Sequence, residues 1–212
     1  MASLGPILQF LGNQNHTWGV SLLLTTAPGE APPMLQLSAP AQASPPVSCP
    51  IPGHTGTAWR IDIAVPQAAN DLAIDYKING TANRFHVPPR DSSPNMGYVS
   101  CNGFSDPRVK KSLKEPQALW SRLGRLHRQI DRVDSTAFGP LHLLLMGGDQ
   151  IYSDDLDRHP GTARLDRTAL VATHRRPFTA SMHSALQAHY ARLYIDHWIK
   201  ANRRPCSLAS PP

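Results

Sequence analysis

The sequence predicts a β-sandwich in its first 89 residues and the beginning of a layered α/β domain after residue 96. The first half contains short apolar or alternating runs with turn residues between them, the pattern of an all-β domain. These runs lie at 7–11, 18–25, 34–37, 59–65, 72–78 and 84–87. The second half alternates strand-like apolar runs with segments of helical spacing, which favours an α/β layer arrangement.

Within the first half, residues 59–65 alternate apolar and polar side chains, as a half-buried strand does. Asn79-Gly80 lies between the runs 72–78 and 84–87 and predicts a hairpin, because a type I′ turn needs positive φ at both central residues. Several short strands with turns between them predict a sandwich of immunoglobulin or fibronectin type III style. The proline-containing segment 39–52 is expected to be a long irregular loop.

The second half begins after the proline-rich segment around 88–94, which reads as a linker. We expect a sandwich over 1–89, a linker over 90–96, a partial α/β domain over 97–202 and a tail over 203–212. Short strands are predicted at 97–101 and 141–146, the second of them covered on both faces because it is almost wholly apolar.

Two helices are predicted in this half, at about 116–133 and 179–202. Helical spacing gives the first helix a packing face and an arginine-rich face. The expected packing residues are Leu119, Leu123, Leu126, Ile130 and Val133 in the first helix, and Met182, Leu186, Tyr190, Leu193 and Ile195 in the second.

Composition limits the class of protein. The chain has 212 residues, 41% of them hydrophobic, and three cysteines, which is too few and an odd number for a disulfide framework. We expect no membrane span, no secretory signal and a cytoplasmic location. The net charge is +6, concentrated after residue 83, and indicates either a surface that attracts phosphate or simply a solvated basic face.

Candidate ligands follow both predicted strands of the second half. Cys101 ends the first strand, and Asp149 follows Gly147-Gly148 after the second, with Tyr152 close behind. Open α/β sheets bind ligands at the carboxyl ends of their strands, and a thiolate, a carboxylate and a phenolate together suit a transition metal such as iron. From the residues alone, a strand-end Gly-Asp such as Gly148-Asp149 is most often a turn, and a lone cysteine such as Cys101 is more often a small buried hydrophobe than a ligand.

The segments 99–105 and 148–154 resemble the first strand end and the GD-x-IY-x-D signature of PhoD-like (alkaline phosphatase D type) metallophosphatases. In that family an immunoglobulin-like domain precedes the metallophosphatase domain, so the resemblance covers the chain to about residue 200. It implies Cys101, Asp149 and Tyr152 as metal-binding positions, with Fe, Ca or Mn as the metal. It also implies hydrolysis of a phosphomonoester or phosphodiester substrate, in which the metal polarises the phosphoryl group and activates water.

The chain departs from this family after its second strand. The family continues with an Asp-Asp-His-Asp-type segment and further Asn and His ligands, whereas His197 lies in a predicted helix and the other histidines are scattered without ligand spacing. The sequence therefore predicts an incomplete catalytic domain with little or no phosphatase activity by itself. No catalytic or substrate-binding residue is assigned, although Arg108, Lys110 and Lys111 could attract phosphate or be merely solvated.

Two other functions compete with a phosphoesterase. The first is a non-catalytic interaction module, in which the β-sandwich recognises a partner protein. The second is nucleic-acid binding through the arginines of the first helix, which no recognised motif supports. The enzyme interpretation requires Cys101, Asp149 and Tyr152 to converge in space.

Overall fold

A computed structural model describes residues 4–103, 107–115, 118–128, 139–150, 152 and 179–202. The strands are β1 (Ile7–Gln14), β2 (Thr17–Thr26), β3 (Leu35–Leu37), β4 (Gln42–Ala43), β5 (Val47–Pro50), β6 (Thr57–Pro66), β7 (Leu72–Ile78), β8 (Thr81–Val87), β9 (Met96–Ser100) and β10 (Leu143–Gly147). The helices are α1 (Pro107–Ser112), α2 (Ala118–His127) and α3 (Ala180–Asn202).

The first eight strands form two antiparallel sheets, which confirms the β-sandwich. One sheet has the order β1-β2-β6, with β4 and β5 both pairing with the other edge of β6, and the second has the order β3-β7-β8. The β7–β8 hairpin turns at Asn79 and Gly80, whose φ angles of 47° and 85° are both positive, as the Asn-Gly dipeptide predicts.

The core lies between these two sheets and follows the alternation of the strands. In β6 the side chains of Ile61, Ile63 and Val65 are at most 1% exposed. Ile74 of β7 and Val87 of β8 are fully buried on the facing sheet. Burial of a branched aliphatic side chain contributes about 1.5–3 kcal/mol, so these alternate positions stabilise the sandwich.

The expectation of an irregular loop over 39–52 was wrong. Two short strands, β4 and β5, lie there and pair with β6. All six of their residues are exposed, so no burial pattern marks them in the sequence. The prolines at 45, 46 and 50 flank or end these strands, consistent with the edge positions that proline tolerates.

After the sandwich, β9 and β10 pair in parallel, from Met96 opposite Leu143 to Ser100 opposite Gly147. The chain between them includes α1 and α2. The expectation that 141–146 is covered on both faces was wrong, because Leu145 and its neighbour Tyr98 are 50% and 69% exposed. An apolar strand sequence does not itself report whether a second layer is present.

Helix α2 packs through a face that shares Leu123 with the predicted one but otherwise differs from it. Leu119 and Leu126 are 83% and 46% exposed, whereas Gly124 is buried and Trp120 and Leu123 are half-buried. The inward-facing residues keep helical spacing but include the rings of Trp120 and His127, which a pattern based on aliphatic residues alone overlooks. Ile130 and Val133 lie outside the described residues.

Helix α3 packs against the sandwich at the loop before β6. Gly53 lies so close to the helix that a Cβ placed there would be 2.4 Å from the backbone nitrogen of Ala188. Ile195 is buried as expected, but Tyr190 is 41% exposed and His189, which was not expected to pack, is buried instead.

Among the described helices, none is long and apolar enough to cross a membrane. The side chain of His197 and the whole tail 203–212 lie outside the described residues. The domain boundaries remain predictions; Met96, assigned to the linker, is the first residue of β9.

Candidate metal site at the ends of β9 and β10

The candidate site lies where β9 and β10 end side by side. The parallel pairing places Ser100 opposite Gly147, so the residues that follow each strand leave the sheet at the same edge. Cys101 and Asp149 are therefore neighbours in space although 48 positions separate them in the sequence. This is the edge at which open α/β sheets bind their ligands.

Two backbone hydrogen bonds join the strand ends beyond the sheet. The N–H of Cys101 donates to the carbonyl of Gly147 at 2.9 Å, and the N–H of Asn102 donates to the carbonyl of Asp149 at 2.8 Å. Cys101 has a φ of 63°, a left-handed conformation that costs a residue with a Cβ about 1–2 kcal/mol. The surrounding bonds hold this strained backbone in place, as often happens at functional sites.

The thiol of Cys101 has an environment that favours the thiolate. The pKa of Cys101 is lowered first by a hydrogen bond from the backbone N–H of Asp149, then by the hydroxyl groups of Ser100 and Tyr152. The Ser100 Oγ lies 3.7 Å from the sulfur. Burial and the negative charge of Asp149 oppose this lowering. The thiolate is the form of cysteine that binds metals and attacks electrophiles.

Tyr152 completes the group, because its hydroxyl hydrogen-bonds the thiol and its ring rests against Gly103. A Cβ on Gly103 would lie 2.9 Å from the Cδ2 atom of that ring. The structure thus brings together the three residues that the sequence singled out. Their donors are a thiol, a carboxylate and a phenol, a mixed set that suits a transition metal.

Gly148 allows the close approach between the two strand ends. Its φ is +66°, and a Cβ there would lie 2.8 Å from the sulfur of Cys101. Any side chain at this position would therefore push the thiol away from the backbone N–H of Asp149. This lack of space explains why a glycine precedes Asp149 in the sequence.

Sequence reasoning missed two residues that hold the site. Asn102 is 6% exposed, and its Oδ1 accepts a hydrogen bond of 3.1 Å from the indole N–H of Trp120 in α2. Helix α2 thereby anchors the loop that carries Cys101. A half-buried tryptophan needs a partner for its N–H, and that requirement was the available signal.

Of the basic residues that could attract phosphate by their sequence, Arg108 and Lys111 are exposed, and the side chain of Lys110 lies outside the described residues. Within the described part of the chain, no group of three or more His, Cys, Asp or Glu side chains is arranged to hold a metal ion. Cys101 and Asp149 supply two donors of those types, and Tyr152 adds a phenol.

Comparison with known proteins gives one informative relative. Over 104 residues this chain is 32% identical to the uncharacterized protein YGR266W of Saccharomyces cerevisiae. The matched segment is 48% of this chain and 13% of the relative, so the chain spans a small part of that protein's length. No family model matches the chain, and no solved structure matches it.

Proposed function

We propose that this chain carries part of the metal site of a PhoD-like phosphoesterase, with Cys101, Asp149 and Tyr152 as metal-binding positions. The observation that carries the proposal is the convergence of these three residues at the carboxyl ends of two parallel strands, where the backbone N–H of Asp149 and the hydroxyl of Tyr152 both act on the thiol of Cys101. A cysteine that served only as a small buried hydrophobe would not need the hydrogen bonds that the backbone of Asp149 and the hydroxyls of Ser100 and Tyr152 make to its thiol.

The sandwich is consistent with the same proposal. Its sheets have the orders β1-β2-β6-β4/β5 and β3-β7-β8. These match the ABED and CFG sheets of an immunoglobulin constant-type sandwich, if β4 and β5 together stand for strand D. An immunoglobulin-like domain in front of the metal site is the arrangement that PhoD-like proteins have.

The three residues have complementary roles in this proposal. The N–H of Asp149 lowers the pKa of Cys101 and so favours its thiolate, whereas the Asp149 carboxylate repels that thiolate. A cation between them would relieve the repulsion, so the pair fits a divalent or trivalent ion such as Fe, Ca or Mn. When bound, that ion would supply charge stabilisation to a phosphoester substrate and an activated water.

We expect the 212-residue chain to hydrolyse phosphoesters weakly or not at all. Three protein donors leave the other coordination positions to water, which lowers affinity and preorganisation.

The experiment measures metal content after mild chelation and re-addition of Fe, Ca or Mn, together with hydrolysis of p-nitrophenyl phosphate and bis(p-nitrophenyl) phosphate. The test variant is Cys101→Ala with Asp149→Ala. The matched control is Cys49→Ala with Asp91→Ala, which changes the same residue types at exposed positions.

We expect metal binding that the test variant weakens at least tenfold and the control leaves unchanged, with turnover near background. Metal binding that is indifferent to Cys101 and Asp149 would overturn the site and favour a non-catalytic interaction module. Rapid turnover abolished by the test variant would support the site but contradict the expected low activity.

A further inference from the structure

A second cluster of titratable side chains lies where the sandwich meets the β9–β10 pair. It consists of Asp71, His86, His127 and His142, which we call the histidine joint. Asp71 precedes β7 and His86 lies in β8, whereas His127 ends α2 and His142 precedes β10. The four residues come from four separate segments, so no spacing in the sequence announces them.

Asp71 is the centre of the joint. One of its carboxylate oxygens lies 2.5 Å from Nε2 of His142, and the other lies 3.2 Å from Nδ1 of His86. The His142 side chain is 3% exposed, so this contact is almost closed to water. A single carboxylate thus connects the sandwich to the residue immediately before β10.

Two rings of the joint accept hydrogen bonds from backbone groups. Nδ1 of His142 accepts the N–H of Asn95 at 2.8 Å, and Nδ1 of His127 accepts the N–H of Leu141 at 3.2 Å. A nitrogen that accepts must be unprotonated. Each bond therefore requires its histidine to be neutral. The first bond holds the backbone just before β9, and the second holds it just before β10.

The groups facing His127 add to this requirement. His86 lies edge-on to it at 5.7 Å between ring centroids, and His142 and Arg128 are the other basic groups that act on it. Burial, followed by these neighbours, lowers the pKa of His127 from 6.5 to about 4. Asp71 is the acidic group of the joint itself, and Asp75, which acts on His86, is already paired with Arg84.

We propose that the histidine joint is a pH-sensitive attachment: at neutral pH it clamps the β9–β10 pair to the sandwich, and acidification releases it. Protonation of His127 removes the acceptor for the N–H of Leu141 and adds positive charge beside Arg128 and the other rings. Release would free the amino ends of β9 and β10 and loosen the pairing that aligns Cys101 with Asp149.

The direction of the pH effect follows from linkage. His127 titrates at a lower pH in the folded chain than in the unfolded chain, so the unfolded chain binds the proton first. The stabilisation is complete above pH 6.5 and is lost as the pH falls toward about 4. Over this window we expect the opening constant of the joint to rise by roughly a hundredfold.

The first test is an NMR titration of the histidine ring nitrogens in the unaltered chain. We expect His127 to stay neutral, with Nδ1 unprotonated, until the pH approaches about 4. We also expect the amides of Asn95 and Leu141 to lose exchange protection on acidification before those of β7 do. Titration of His127 near 6.5, or simultaneous loss of protection in β7, would overturn the proposal.

The second test is the variant His127→Asn, whose Oδ1 can still accept the N–H of Leu141 but does not titrate. The matched control is His16→Asn, at an exposed turn position with φ of 57° that asparagine adopts readily. We expect the acid-dependent loss of protection to shrink at least tenfold in His127→Asn and to persist in His16→Asn. Equal acid sensitivity in the two variants would contradict the proposal.

Discussion

At the scale of single residues, Cys101 is the most informative position in the chain. Its backbone is left-handed at the strand end. There the N–H of Asp149 and the hydroxyls of Ser100 and Tyr152 all hydrogen-bond its sulfur and lower its pKa. Three hydrogen bonds that favour the thiolate outweigh burial and one nearby carboxylate. The surroundings of Cys101 therefore favour the thiolate form of its side chain.

Replacing the neighbours of Cys101 should shift the pKa of its thiol in opposite directions. Ser100→Ala removes a hydrogen bond that favours the thiolate and should raise the pKa. Asp149→Asn removes a negative charge but keeps the backbone N–H, and should lower it. The measurement is the rate of alkylation by iodoacetamide against pH, with Cys49 and Cys206 replaced by Ser.

Asp91→Asn serves as the control for the loss of an acidic side chain at an exposed site away from the strand ends. The unaltered thiol should reach half of its maximal alkylation rate below the ordinary thiol value of 9.0, so the rate should fall as the pH drops through that lowered midpoint. Shifts of the same sign in the two test variants would show that Asp149 does not act on the sulfur as described.

At the scale of elements, α2 contacts both the candidate metal site and the histidine joint. Its Trp120 donates to Asn102, the residue after Cys101, and its last residue, His127, accepts from Leu141 in the histidine joint. Leu123 lies between these two anchors and faces Gly97 of β9. The orientation of the helix is therefore determined by its polar rings as much as by its aliphatic side chains.

This orientation predicts unequal effects of two leucine substitutions in α2. Leu123→Ala should lower the free energy of unfolding by about 1–2 kcal/mol, since the side chain is half-buried against β9. Leu119→Ala should change it by less than about 0.5 kcal/mol, because Leu119 is 83% exposed. Urea unfolding followed by tryptophan fluorescence measures both values.

The same substitution at two positions of one helix has equal helix propensity, so each variant is the control for the other. An equal loss of stability in the two variants would mean that the helix packs through the face predicted from aliphatic spacing.

At the scale of the whole molecule, the sandwich is the platform on which the later elements assemble. Leu143 of β10 packs against the core of the sandwich, and Asp71 hydrogen-bonds His142. Helix α3 lies in close contact with Gly53. These contacts involve the amino end of β10 and the middle of α3. The candidate metal site at the opposite end of β10 depends on them for its position.

The contact between Gly53 and α3 gives a test of this assembly. Gly53→Ala should release α3, because its Cβ would overlap the backbone at Ala188, and overpacking of this kind costs about 1–3 kcal/mol. Gly29→Ala has a nearly equal φ, +76° against +74°, and nothing within 4 Å of the added Cβ. It therefore shares the backbone strain without the clash.

Hydrogen–deuterium exchange of peptides covering 180–195 measures the release. We expect Gly53→Ala to increase exchange there at least tenfold while Gly29→Ala leaves it unchanged. Unchanged exchange in both variants would show that α3 does not depend on this contact.

Local sequence was sufficient for much of this architecture. The strands β6 and β7 and the Asn-Gly turn between β7 and β8 were predicted from the sequence. A half-buried strand and a type I′ turn each restrict which residue types can occur within a few neighbouring positions. The strand-end positions of Cys101 and Asp149 were predicted for the same reason. Tertiary structure decided the remainder: β4 and β5 pair at an exposed edge without a burial signal, and α2 turns Trp120 inward and Leu119 outward. The convergence of Asp71, His86, His127 and His142 depends on contacts across up to 71 positions, and only packing in three dimensions determines such contacts.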